Sequence, residues 1–225
     1  MPRRTVFRRL AHISLDQEMR ERYLMTFSSR WLYHHIQHFP MLTSQTLFAN
    51  QQPLELEIGC GSGEFLCSLA QANQACNFLG IDISETALLQ ATHLASTLAL
   101  ENMKFVAANA HLLFPLFAPD SLQAVYLHFP DPNRRRKFRK RQLFTPMLLD
   151  VISQALSSGG RFSVMTDHRE YFLEMLELIE RDARFEKTHA ERYLSGFDAP
   201  VLSRYQRLWE RHGLATLRFE VRKRL

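Results

Sequence analysis

Leu54-Glu-Leu-Glu-Ile-Gly-Cys-Gly-Ser-Gly63 decides the fold. A short apolar run ends in three glycines at every second position, and Glu64 opens a helical stretch behind them. Such a strand, glycine turn and helix start a doubly wound sheet, and ligands bind such sheets over the C-terminal strand ends. Reading outward, strands are expected at Asn77–Asp82, Met103–Ala107, Leu122–Phe129, Arg161–Thr166, Phe185–Thr188 and Ala215–Val221. Helices are expected at Glu64–Gln71, Ser84–Leu98, Gln142–Leu156 (closed by Gly159-Gly160) and Arg169–Arg181. This alternation predicts an α/β fold with a mostly parallel, seven-stranded, Rossmann-like sheet. Residues 1–50 show no clear strand. They read as a helical extension of the same unit, with helices near Gln17–Met25 and Trp31–Phe39, and Trp31, Tyr33 and Phe39 packed inward.

Gly59 and Gly61 permit a tight turn and close approach of backbone to ligand. Asp82, 25 residues after Glu57, ends the second strand, where an acid accepts hydrogen bonds from ribose hydroxyls. The dinucleotide pattern GxGxxG fails, because its sixth position is Glu64. A carboxylate there has the wrong sign for a pyrophosphate. ExGxGxG suits a nucleoside with a cationic or zwitterionic tail, which disfavours an NAD-dependent dehydrogenase.

Composition narrows the class further. Apolar residues at 46%, charged residues at 23% and 17 Phe in 225 residues describe a globular chain. No apolar run approaches the roughly 20 residues that span a bilayer. The basic N-terminus has no apolar stretch behind it, so a secretory signal is not expected. Cys60, Cys67 and Cys76 form no CxxC pair, which predicts neither a disulfide framework nor a zinc knuckle, and a cytoplasmic setting. His34, His35 and His38 have no acid or Cys beside them to complete a metal site, so no metal is expected. Cys60 has no His–Asp set around it and is not read as a nucleophile.

The net charge of +5 is concentrated. Arg134-Arg-Arg-Lys-Phe-Arg-Lys-Arg141 carries seven basic residues in eight. Phe129-Pro-Asp-Pro132 stands directly before it, and two prolines fix the backbone around Asp131. A rigid carboxylate at a strand end, followed by a polycation, points to a site that works on a polyanion.

The glycine loop resembles motif I of the class I S-adenosylmethionine-dependent methyltransferases. The further order of strand, FPDP, basic cluster, helix and Thr166-Asp167 resembles the bacterial tRNA (guanine-N7)-methyltransferase family over roughly residues 50–215. The resemblance implies a methyltransferase domain over 51–225, S-adenosyl-L-methionine as cofactor, tRNA as partner and methylation of a variable-loop guanine, by a monomer or homodimer with no membrane partner. It implies that Glu57, Gly59, Gly61, Asp82, Asn109 and Asp131 hold the cofactor, with Asp131 also catalytic. Arg135, Asp167, Ser203, Arg204, Tyr205 and Gln206 would bind substrate, and Lys137, Phe138, Arg139, Lys140, Arg141 and Gln142 would contact RNA. The chain departs from the family pattern at Asn133 for Trp, Arg135 for Lys, Asn109 for an acid, Ser203 for Thr and Gln206 for Glu. Two other readings share these residues: a non-catalytic RNA-binding module of the same fold, and a class I methyltransferase with another substrate.

Overall fold

A computed structural model of the chain describes residues 16–132, 142–195 and 215–225. The described chain begins with α1 (Gln17–Tyr23), β1 (Leu24–Thr26), α2 (Ser29–His35) and α3 (Ser44–Phe48). It continues through β2 (Leu54–Ile58), α4 (Glu64–Ala72), β3 (Asn77–Asp82), α5 (Glu85–Thr97), β4 (Met103–Ala107) and α6 (Ala110–Leu113). The second half holds β5 (Leu122–His128), α7 (Pro146–Ala155), β6 (Leu156–Thr166), α8 (Arg169–Glu180), β7 (Phe185–Lys187), β8 (Leu194–Ser195) and β9 (Leu217–Lys223).

The strands form one sheet in the order β1-β4-β3-β2-β5-β6-β9-β7, with β8 added against β9. Pairing is parallel from β1 to β6 and antiparallel around β9. From β2 the chain winds outward through β3 to β4, then returns to β5 on the other side, so the switch point lies between β2 and β5. A parallel sheet must bury both faces. Leu54, Leu56, Ile58, Ile81, Val125 and Val164 fill one side. Phe78, Phe105 and Tyr126 fill the other, under Leu66, Cys67 and Ala70 of α4 and Leu88 and Ala91 of α5.

All seven expected strands are present, and two short ones join them. Leu24–Thr26, in a region that showed no strand, pairs in parallel with β4. The edge of β4 supplies a hydrogen-bonding template that overrides the local helical pattern. The expected helix from Gln142 starts instead at Pro146, where the Thr145 side chain caps Leu148 N–H. Proline is tolerated in the first turn and breaks a helix interior. Gly159-Gly160 does not close that helix. It lies inside β6, where the pairing with β5 shifts register and Gly159 takes a φ of 74°. β5 stops at His128 because Phe129 turns to a φ of 51°.

The inward packing expected of Trp31 and Tyr33 is corrected. They are 51% and 72% exposed, because α2 seats Leu32 in the core and turns its neighbours outward. Among the described residues, no helix is long and apolar enough to cross a membrane.

Candidate active site

The glycine loop is tied across to β3. The N–H groups of Gly59 and Cys60 donate to the Ile81 carbonyl at 2.7 and 3.1 Å, and Gly63 N–H donates to Cys60 O at 2.9 Å. Gly59 and Gly61 have φ of 83° and 54°, and a Cβ on either would enter open space. Bare backbone therefore faces outward, where a ligand can approach it. Gly63 has a different task. A Cβ there would lie 2.7 Å from Ala91 Cβ, so its absence lets the start of α4 lie against α5.

Asp82 stands at the tip of β3. Its Oδ2 accepts from Gly61 N–H at 2.8 Å and its Oδ1 from Ser84 N–H at 2.7 Å. Both oxygens keep lone-pair capacity while the carboxylate is fixed. Asp82, Gly59 and Asn109 share the wall of a cleft of about 700 Å³. Asn109 caps α6, accepting from His111 N–H at 3.1 Å. Ile83, His111 and Leu143 also line it, and the sequence reading missed all three. Ile83 is 77% exposed, an apolar side chain left open directly after the strand-tip acid. Burial lowers the pKa of His111.

Glu57 lies beneath this loop. Its Oε1 is 3.8 Å from His128 Nδ1, too long for a hydrogen bond. Neither Glu57 Oε2 nor either ring nitrogen of His128 has a hydrogen-bond partner. Burial, helped by the charge of Asp82, pushes Glu57 up to about 8. Burial, helped by Arg218, pushes His128 down to about 3. Both shifts run toward the uncharged form, as burial without a hydrogen-bond partner dictates. His128 was also missed, because its meeting with Glu57 depends on the neighbouring register of β2 and β5. Burial, with the charges of Glu57 and Asp82, raises the Cys60 thiol well above its usual range, which leaves no reactive thiolate in the loop.

At the ends of β5 and β6 the backbone is held under strain. Phe129 is a non-glycine residue at a φ of 51°, and its N–H donates to Met165 O at 2.7 Å. Such outliers persist where the surroundings over-determine them. Asp131 follows, exposed to solvent. Its field reaches the start of α8: burial above all, with the charges of Glu174 and Asp131, pushes Tyr171 up to about 12. Asp167 is half-buried beside His168, whose Nδ1 accepts from Tyr171 N–H at 3.1 Å. Gln142 donates to Pro132 O at 2.9 Å, so the residues flanking the basic run are held together.

The structure therefore brings Gly59, Asp82 and Asn109 to one cleft, with Gly61 in the same loop and Glu57 below it. Asp131 and Asp167 stand past the ends of the next two strands on the same edge. Arg135, Lys137, Phe138, Arg139, Lys140, Arg141, Ser203, Arg204, Tyr205 and Gln206 lie outside the described residues. Among the described residues, no group of three or more His, Cys, Asp or Glu is placed to hold a metal ion.

The model of a family described as "Putative methyltransferase" matches residues 51–219. The chain is 47% identical over 206 residues to the tRNA (guanine-N(7)-)-methyltransferase of Rubrobacter xylanophilus, covering 92% of each chain. It is 35% identical over 204 residues to the protein of that name from Chloroherpeton thalassium, covering 91% of this chain and 90% of the other. Among solved structures it is similar to an antibiotic-related methyltransferase, with a TM-score of 0.57 at 17% identity over 95% of this chain and 97% of that one. It is similar also to the 16S rRNA methyltransferase KamB, with a TM-score of 0.57 at 14% identity over 80% and 92%. The structural likeness shows a Rossmann-like class I methyltransferase fold. The match in sequence, along nearly the whole length of both relatives, goes further: the chain belongs to the tRNA (guanine-N7)-methyltransferase family.

Proposed function

We propose that this chain transfers the methyl group of S-adenosyl-L-methionine to N7 of a guanine in tRNA, acting in the cytoplasm as a monomer or homodimer. The observation that carries this reading is the pairing of a bare glycine cradle with a fixed strand-tip acid, Asp82, on the sheet edge past which Asp131 stands, just before the basic run in sequence. The cradle fits the cofactor. Gly59 and Gly61 leave room for it, Asp82 retains acceptors for ribose hydroxyls, and Ile83 and Asn109 offer an apolar surface and an amide for a flat base. Glu57 is the buried acid below the loop that a cationic tail would draw into its charged form. Bound there, S-adenosylmethionine supplies a methyl group already activated by its sulfonium charge.

Guanine N7 is an acceptor lone pair as it stands, so no general base is needed. The protein's task is alignment and charge stabilisation. Asp131, fixed between two prolines, balances the positive charge that builds on the guanine ring. Asp167 accepts from the guanine N1–H and N2–H donors, and Ser203–Gln206 bind the same substrate. The run from Arg134 to Arg141 holds phosphates, which sets register without reading sequence.

The test is to incubate the protein with labelled cofactor and an unmodified tRNA transcript, then map the label by strand scission specific for N7-methylguanosine. Label at a single guanine supports the reading. No label, or label on another atom, refutes it. Replacing Arg134, Arg135 and Arg136 with glutamine should weaken tRNA binding about tenfold at moderate salt. It should also lower the slope of log K against log salt by about 2. An unchanged slope would remove the run from the phosphate contacts.

A further inference from the structure

Strand β1 ends at Thr26, which pairs with Ala107, and Ala107 in turn pairs with Asp82. The chain thus leaves the sheet on the edge that carries the cofactor cleft, and α2 begins three residues later. Its Leu32 is packed in the same core as Leu113 of α6, the helix that Asn109 caps. On the outer side Trp31 and Tyr33 are 51% and 72% exposed. Trp31 is nonetheless held, with Phe39 edge-on at 4.9 Å and His35 at 5.3 Å between ring centres. Phe39 is braced by Phe27 at 4.8 Å. From Arg22 to Leu54 the sequence has no Asp or Glu, while Arg30, His34, His35 and His38 are all exposed on this segment.

An exposed ring braced by its neighbours in an acid-free stretch matches the physics of single-stranded nucleic-acid binding, in which bases stack on π faces and cations follow the backbone. We propose that Trp31, braced by Phe39 and His35, forms a stacking platform for an unpaired nucleotide of the RNA substrate, on the sheet edge that carries the cofactor cleft. This rests on the proposed activity for its substrate, and the platform itself is testable without that activity.

Replacing Trp209 with Phe leaves Trp31 as the one tryptophan. A short oligouridylate should then quench its emission saturably, whereas polyglutamate should not. Trp31→Ala should weaken oligouridylate binding and raise the KM for unmodified tRNA, each about tenfold, and Trp31→Phe should restore most of the loss. Cofactor binding and kcat at saturating tRNA should not change. Tyr33→Ala, two positions further along α2 and so on its other flank, should match the wild type in both oligouridylate binding and KM. If wild-type protein fails to methylate tRNA yet shows the quench, the activity is refuted and the platform stands. If Trp31→Ala binds oligouridylate and tRNA like the wild type, if Tyr33→Ala loses as much, or if polyglutamate quenches equally, the platform is overturned.

Discussion

Replacing Asp131 with alanine should lower turnover by about a hundredfold at saturating cofactor and tRNA, with a much smaller change in cofactor affinity. The expectation rests on how the carboxylate is held. Pro130 and Pro132 restrict the backbone on either side. Phe129 is locked in a left-handed conformation by its hydrogen bond to Met165 O, and Gln142 holds Pro132 O on the far side. A group fixed before the reaction stabilises developing charge without reorganising, which is where a site gains most over water. Its loss would therefore be felt in the transition state more than in the ground state, and kcat should fall while KM for cofactor stays nearly constant. Asp131→Asn separates charge from shape: it keeps an acceptor and the packing but removes the charge, and should lose nearly as much as alanine. Single-turnover assays with excess enzyme isolate the methyl-transfer step. Full activity of Asp131→Ala under those conditions would rule out a charge-stabilising role for this residue.

The parts of this site that were legible in the sequence are those where few residue types serve. A left-handed turn with bare backbone needs glycine, so Gly59 and Gly61 stand out, and an acid closing the next apolar strand marks Asp82. Proline on both sides of Asp131 is equally conspicuous. Pairings made across the sheet were not legible. Glu57 meets His128 only because β2 and β5 are neighbours, although the two residues stand 71 positions apart in the sequence. Ile83 falls just past the expected strand, and only the topology puts it on a cleft wall. Leu24–Thr26 is too short for periodicity to reveal and exists because β4 offers an edge. Trp31 illustrates the opposite error: its apolar bulk suggested core, but the helix had already given that place to Leu32.

Glu57 and His128 should shape the stability of the protein against pH. For Glu57 the folded value of about 8 stands above its ordinary 4.5, through burial first and the charge of Asp82 second. The folded state therefore holds a proton that the unfolded state releases. This stabilisation is complete below pH 4.5 and is lost as pH rises through about 8. For His128 the folded value of about 3 stands below its ordinary 6.5, through burial and then Arg218. Its neutral form is favoured on folding, so stability is present above pH 6.5 and is lost as pH falls toward about 3. Between the two ordinary values the effects oppose each other and the profile should be flat. Above pH 6.5 only the Glu57 arm remains, and melting temperature should decline toward pH 8. Glu57→Gln keeps the shape and cannot ionise, so it should abolish the alkaline decline, which between pH 6.5 and 8 amounts to about 2 kcal/mol. The acid arm, set by His128, should persist in that variant. A cationic cofactor tail favours the charged carboxylate, so binding below pH 8 should release a proton from the wild type and none from Glu57→Gln. Calorimetry in buffers of different ionisation enthalpy reads that proton directly. If the wild-type melting temperature is flat up to pH 8, or Glu57→Gln declines as steeply, Glu57 is not neutral in the folded protein, and it meets the cofactor already charged.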